Sequence, residues 1–326
     1  MQTKRSFILS CLPIICLLFT GAAQLSAATS STYTWKPRKV KSDELAIAQE
    51  HRYAEKVNKT VKTNLIRYET TFFELYTDIP KEQAIKWQIK LDPIYRRLIA
   101  LLDLPANCNI WQGKASIYLF DKKADFIKFE DKFYGNKISF EAALCHQHYT
   151  GEVRLALYEM DDSLFLRQLF IHEMMHGIVH RYQTPKRIPT WLNEGIAEWA
   201  ANQLLGDAPT FRMKQKLSRK FLHNTQYLPA DFFSDYRFKP EFYGTAFSLT
   251  KMLTTTDKTK FIKFLSTVKQ YTPWQKALKN AYKMTPEQLI ATYASNIGLN
   301  ELPIEIPTIT TKTTLNNKTP QAASSP

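Results

Sequence analysis

His172-Glu173-Met174-Met175-His176 is the segment of this chain with the most specific chemical potential. On a helix, residues four apart share a face, so His172 and His176 can each aim a ring nitrogen at one ion. Glu173 then lies about 100° further round, beside such an ion without being forced to bind it. A carboxylate in that place can take a proton from a metal-bound water. The flanking residues Leu164, Phe165, Leu166, Leu169, Phe170, Ile171, Met174, Met175, Ile178 and Val179 are apolar nearly all round, which predicts a buried helix. Buried His and Glu are costly unless paired or coordinating, so three polar groups on a solvated helix face is the weaker reading. Downstream, Pro189-Thr190-Trp191-Leu192-Asn193-Glu194-Gly195-Ile196-Ala197-Glu198 reads as a second helix that carries a carboxylate. Two His and a Glu from a second helix form a catalytic zinc set with one position left for water.

Other histidines fit less well. His180 follows His176 by four, but it would stand about 12 Å along the axis from His172, too far to share an ion. His146 and His148, beside Cys145, read as a polar loop rather than a second metal site.

The elements that must position these groups fall into two parts. Lys41 to about Arg67 reads as a helix, Thr70–Tyr76 as a strand, and Lys81–Asp103 as an amphipathic helix. Ala115–Phe120 and Val153–Tyr158 read as strands, with a short helix at Lys123–Phe133 between them. After Asp162 the pattern is helical almost throughout: Leu164–Tyr182, Thr190–Leu205, Phe242–Leu253, Lys258–Tyr271, Trp274–Tyr282 and Thr285–Asn296. Thr285-Pro286-Glu287-Gln288 is a helix start signal with a Thr cap and Gln three residues on. The expectation is an α+β fold: a mixed-sheet lobe over 29–162, a helical lobe over 163–302, and an active-site cleft between them. The Thr-, Pro- and Ser-rich tail over 303–326 is expected to be disordered.

His172–His176 followed by Trp191-Leu192-Asn193-Glu194-Gly195 resembles the gluzincin metallopeptidases, the clan of thermolysin and the zinc aminopeptidases. Within it the chain is most similar to short exported bacterial members, and the resemblance covers roughly residues 65–300. It implies a zincin-like fold and one Zn2+ per chain, held by His172, His176 and Glu194, with Glu173 as general base. It also implies that Glu198, one turn after Glu194, orients a zinc-bound His. Tyr243, in Glu241-Phe242-Tyr243-Gly244-Thr245-Ala246, is similar to the tyrosine these enzymes place over the zinc, where a phenol donates to the oxyanion. The chain departs from the zinc aminopeptidases in lacking their Gly-x-Met-Glu-Asn segment, so an endopeptidase acting on peptide or protein substrates is expected. The pattern of the metzincins fails, because Val179 and Tyr182 stand where Gly and His would be needed. Val153–Tyr158, just before the zinc helix, is expected to offer an edge along which an extended peptide pairs.

Composition sets the context. The chain has 326 residues, 44% hydrophobic and 23% charged, which excludes disorder, collagen and a small disulfide scaffold. Lys4 and Arg5, the apolar run Phe7–Phe19 and the small residues that follow read as a secretory signal peptide over 1–28, too short to span a bilayer. An exported protein, periplasmic or secreted, without stable membrane insertion is the expectation. Of four cysteines only Cys108 and Cys145 then remain, and both a disulfide between them and two free thiols are open. The net charge of +14 is spread along the chain without a nucleic-acid motif, so no nucleic-acid partner is expected. It gives a solvated basic surface, and more pointedly an affinity for an anionic envelope surface or an acidic substrate. The rival to a peptidase is a zinc-containing cell-envelope binding module that cleaves nothing. An intact Glu173 weighs against it, since a structural site needs no base.

Overall fold

A computed structural model of the chain describes residues 33–36, 42–139, 141–234 and 238–305. The expected signal peptide and residues 306–326 of the tail lie outside the described residues.

Helix α1 (Asp43–Val57) ends in a π turn over Asn58–Lys62. Asn58 closes it: its Oδ1 accepts from Thr63 Oγ1 and the Leu65 amide, and its Nδ2 donates to the Leu65 carbonyl. The helix expected to run on to Arg67 therefore stops earlier, and strand β1 (Ile66–Glu69) takes its last residues. Strand β1 pairs antiparallel with β2 (Phe73–Thr77), which runs parallel to β3 (Ala115–Phe120). In turn β3 runs parallel to β5 (Val153–Tyr158), and β4 (Ala143–Gln147) pairs antiparallel with β5. The mixed sheet has the order β1-β2-β3-β5-β4. Two expectations change here. The stretch holding His146 is a strand, and β5 is paired on both sides, so β4 is the edge at that end of the sheet, with β1 at the other.

Alternation along the strands divides two cores. Phe73, Leu75, Ile117, Leu119, Leu155 and Leu157 face one large core, together with helix α2 (Lys81–Leu101) and helix α4 (Ser163–Arg181). Tyr76, Tyr118, Phe120 and Ala156 face the other side, under α1 and helix α3 (Lys123–Tyr134). Glu50 of α1 is buried there, bonded by both Arg154 of β5 and the Tyr118 hydroxyl. Helix α1 is thus built into the sheet's back face.

The large core continues without a break into the helical part: α5 (Thr190–Leu205), α6 (Pro209–Thr225), α7 (Tyr243–Thr256), α8 (Lys258–Lys269), α9 (Trp274–Tyr282) and α10 (Pro286–Asn296). The Thr285–Gln288 capping box forms as the sequence implies. Helix α6 is an addition to the expected set. Its buried stripe is thin (Phe211, Ser218 and Leu222) among five Lys and Arg residues, so little apolar pattern marks it in the sequence. The start of the tail is ordered: β7 (Ile304–Glu305) pairs with β6 (Leu228–Pro229). Cys108 and Cys145 are free thiols. Among the described residues no helix is long and apolar enough to cross a membrane.

Candidate metal centre

Helix α4 is buried along most of its length, as its sequence requires, and packs on β4, β5, α2 and α5. Asp162 caps its start by accepting from the Leu164 and Phe165 amides. Buried Lys269 closes its other end, donating to the carbonyls of Val179 and His180, and also to that of Lys186. Gly177 lets the helix lie on β5, since a Cβ there would sit 2.7 Å from the Val153 side chain.

His172 and His176 meet at the cavity wall with ring planes 88° apart and Nε2 atoms separated by 3.0 Å. Glu194, from the first turns of α5, reaches both: one carboxylate oxygen lies 3.3 Å from His172 Nε2 and the other 3.5 Å from His176 Nε2. Glu198, one turn on and 1% exposed, lies 3.2 Å from His172 Nδ1 and pairs with Lys214 of α6. The donors of His172, Glu173 and His176 all lie within 4.8 Å of one another. Lys214 also stands 5.2 Å from the ring centre of Tyr243, the first residue of α7.

The donor set fits a zinc ion. Donor atoms bound tetrahedrally at about 2.0–2.1 Å stand about 3.3 Å apart, close to the 3.0, 3.3 and 3.5 Å found here. With Nδ1–H donated to Glu198, a neutral His172 presents its lone pair from Nε2, the tautomer a ligand needs. Two imidazole nitrogens facing each other at 3.0 Å also call for a proton or a cation between them.

Electrostatics separate the carboxylates. Burial alone would raise Glu194, but the imidazoles of His176 and His172 outweigh it and hold the carboxyl well below the usual range. For Glu173 burial wins, and its pKa is raised despite the same two histidines. Two neighbouring carboxyls driven in opposite directions suit one to binding and the other to proton transfer. Burial would lower His172, yet Glu194 and Glu198 prevail and push it up to about 10 on the protein's own groups. Burial, followed by Glu194, Glu198 and Glu173, holds the Tyr243 phenol well above its ordinary value, so it stays a donor.

The centre lines a cavity of about 1910 Å³ bounded by β4, α4, α5 and the first turns of α6 and α7. All the expected site residues reach it: His172, Glu173, His176, Glu194, Glu198 and Tyr243. Lys214 was not legible beforehand, because nothing in one basic helix among several marks the lysine that meets Glu198. The histidines set aside above stay outside the centre. His146 bonds Glu130 and stacks on Tyr134, with ring centres 3.3 Å apart. His148 faces Thr150. His180 donates to the His148 carbonyl, and burial lowers it to about 4, so it is neutral. Cys145 is beside Glu173, and its thiol is pushed well up by burial and then by that carboxylate.

Compared with known proteins, the chain matches no family model and no curated protein.

Proposed function

We propose that this chain is a zinc-dependent metallopeptidase of the gluzincin type, with a zincin-like fold, acting on polypeptides outside the cytoplasm. The observation that carries the reading is the convergence of two imidazoles from α4 and a carboxylate from α5 at 3.0–3.5 Å, with Glu173 in the same cavity. His172, His176 and Glu194 would hold the ion. Glu173 is left beside it with a raised pKa, as a base that must collect and return a proton needs. When bound, zinc supplies a polarised scissile carbonyl and a water acidic enough to ionise near neutral pH.

The protein's own residues do the rest. Glu173 accepts the proton of the attacking water and passes it to the leaving amine. Glu198 fixes the His172 ring through Nδ1, and Lys214 balances the buried charge of Glu198. Tyr243, protonated and facing the cavity, donates to the developing oxyanion.

Two features favour a polypeptide over a small molecule. The cavity of about 1910 Å³ exceeds the range of roughly 300–1,000 Å³ typical of small-ligand sites. Its wall is also the free edge of β4. The His148 amide donates to Glu152, so by antiparallel alternation the bonded pairs along β4 are His146–Arg154 and Leu144–Ala156. The backbone groups of Ala143, Cys145 and Gln147 then point off the sheet, where an extended substrate can pair.

The test is a peptide-library digest with the zinc-loaded chain, using Glu173→Gln and chelated protein as controls. Cleavage should fall by at least about 100-fold in Glu173→Gln while one zinc per chain is retained. Cleavage surviving in both controls removes this centre as the active site, and no cleavage of any peptide favours the binding-module reading.

A further inference from the structure

We infer that α6 carries a binding site for acidic polypeptide segments, placed to hold the part of a protein substrate that leaves the cleft. Its use in proteolysis rests on the peptidase reading above; the binding itself does not.

The helix is divided by its own periodicity. Phe211, Ser218 and Leu222 face the core. Lys214 points into the catalytic cavity at Glu198, and Met213 and Leu217 line the rim of that cavity while 64% and 44% exposed. At about 100° per residue, Arg212, Lys216, Arg219, Lys220 and His223 fall together in an arc of about 100° on the outer side, extending about 16 Å along the axis. Arg212, Lys216, Arg219 and Lys220, with Gln215 and Asp207, line a second groove of about 500 Å³. Asp207 is the one acid there, and Arg212 already pairs with it at 2.9 Å. Among the described residues Lys216, Arg219 and Lys220 take part in no salt bridge, although the 3-10 turn Pro240–Phe242, which packs on α6 together with α7, carries Glu241, and α5 carries Glu194 and Glu198, the latter paired with Lys214.

Such a concentration of unbalanced charge destabilises its own helix through like-charge repulsion at four-residue spacing, as at Arg212–Lys216 and Lys216–Lys220. A partner that supplies the missing anions removes that repulsion. A row of carboxylates on an extended chain fits the dimensions, since side chains on one face of such a chain repeat about every 6.6–6.8 Å and the basic arc accommodates two or three of them. The apolar pair Met213 and Leu217 lies between the groove and the cavity, so a chain crossing the rim passes apolar contacts before cationic ones. The concavity favours a chain over a flat bilayer surface.

The experiment uses a fluorescein-labelled peptide, a leucine-rich segment followed by six glutamates, titrated by anisotropy against the full, zinc-loaded Glu173→Gln chain, which should not consume it. A peptide with glutamines in place of the glutamates should bind at least about tenfold more weakly, as should the glutamate peptide to Lys216→Glu/Arg219→Glu/Lys220→Glu. Raising NaCl from 50 to 500 mM should weaken wild-type binding by a similar factor. The milder Lys216→Gln/Arg219→Gln/Lys220→Gln variant gives the same readout should charge reversal prevent folding. Equal binding of the two peptides, or binding untouched by both variants, overturns the inference. Capture by phosphatidylglycerol vesicles without binding of the acidic peptide overturns it too. Binding of the acidic peptide with no cleavage by the wild-type chain keeps the inference and removes the peptidase reading.

Discussion

On the proposed zinc reading, replacing Glu198 tests whether the His172 ring is positioned as a ligand or merely nearby. Its Oε1 accepts from His172 Nδ1 at 3.2 Å and pairs with Lys214, in a place 1% exposed to solvent. Glu198→Gln preserves shape and one acceptor but removes the charge. The bond from His172, worth about 1.5–3 kcal/mol to a carboxylate, becomes a neutral one worth about 0.5–1.5 kcal/mol, while the bond from Lys214 keeps its ammonium donor and loses only the ion pair. A loss of about 1–2 kcal/mol in total follows, shared between folding and metal binding. The metal's share is about 10-fold in affinity, the lower end of the usual effect of removing the partner that orients a ligating imidazole. Glu198→Ala goes further, leaving both the His172 Nδ1–H and the Lys214 ammonium without this acceptor. Competition titration against a chromophoric chelator at constant pH measures the zinc affinity, and melting in excess chelator isolates the folding part. Glu173→Gln serves as the contrast, with zinc affinity close to wild type. If Glu198→Gln and Glu198→Ala both bind zinc within twofold of wild type, the Nδ1 contact does not position His172 and the argument from the tautomer fails.

Three further outcomes follow from packing and charge. Gly195→Ala places a Cβ 2.3 Å from Thr250 Oγ1 and 2.5 Å from the Ala246 carbonyl, so it should cost about 1–3 kcal/mol and lower the melting temperature; an unchanged midpoint would mean that α5 and α7 are not in contact there. Trp35 donates from Nε1 to the His180 carbonyl and covers the Arg181 guanidinium at 4.4 Å, so Trp35→Ala should destabilise by about 3–5 kcal/mol in chemical denaturation. A loss below about 1 kcal/mol would instead mark the segment as a removable attachment. Burial and then Arg181 lower the Lys269 ammonium to about 7, below its unfolded value, so the unfolded chain binds the extra proton between about pH 7 and 10 and this group's contribution to stability rises with pH across that window. The stability of wild type relative to Lys269→Met should therefore grow from pH 7 to 10, and a flat difference would show that the lysine is not buried as described.

Residue types and spacing nominated the His172–His176 helix and a carboxylate on a second helix, and the resemblance added the roles of Glu194, Glu198 and Tyr243. His172, Glu173 and His176 are fixed by one helical repeat, and Glu194 and Glu198 by another, because local periodicity dictates which side chains share a face. The boundaries of α5 and α9 and the capping box of α10 were equally local and equally legible. The edge of the sheet was not. Ala143–Gln147 has no strong strand signature, and it is a strand because β5 offers it a partner and α4 a surface. Sequence order therefore pointed to β5 as an edge strand, whereas pairing places β4 at that end of the sheet.

The same division holds at the centre itself. The sequence by itself determined which candidate groups share a helix face, since that is a property of residue type and helical register. Only the tertiary structure decided that α4 and α5 meet closely enough to bring Glu194 within 3.5 Å of both imidazoles, that Lys214 answers Glu198, and that Gly195 and Gly244 let α5, α6 and α7 close around Tyr243. Those contacts join residues far apart in the chain. They are set by how whole helices pack, and no local pattern encodes them.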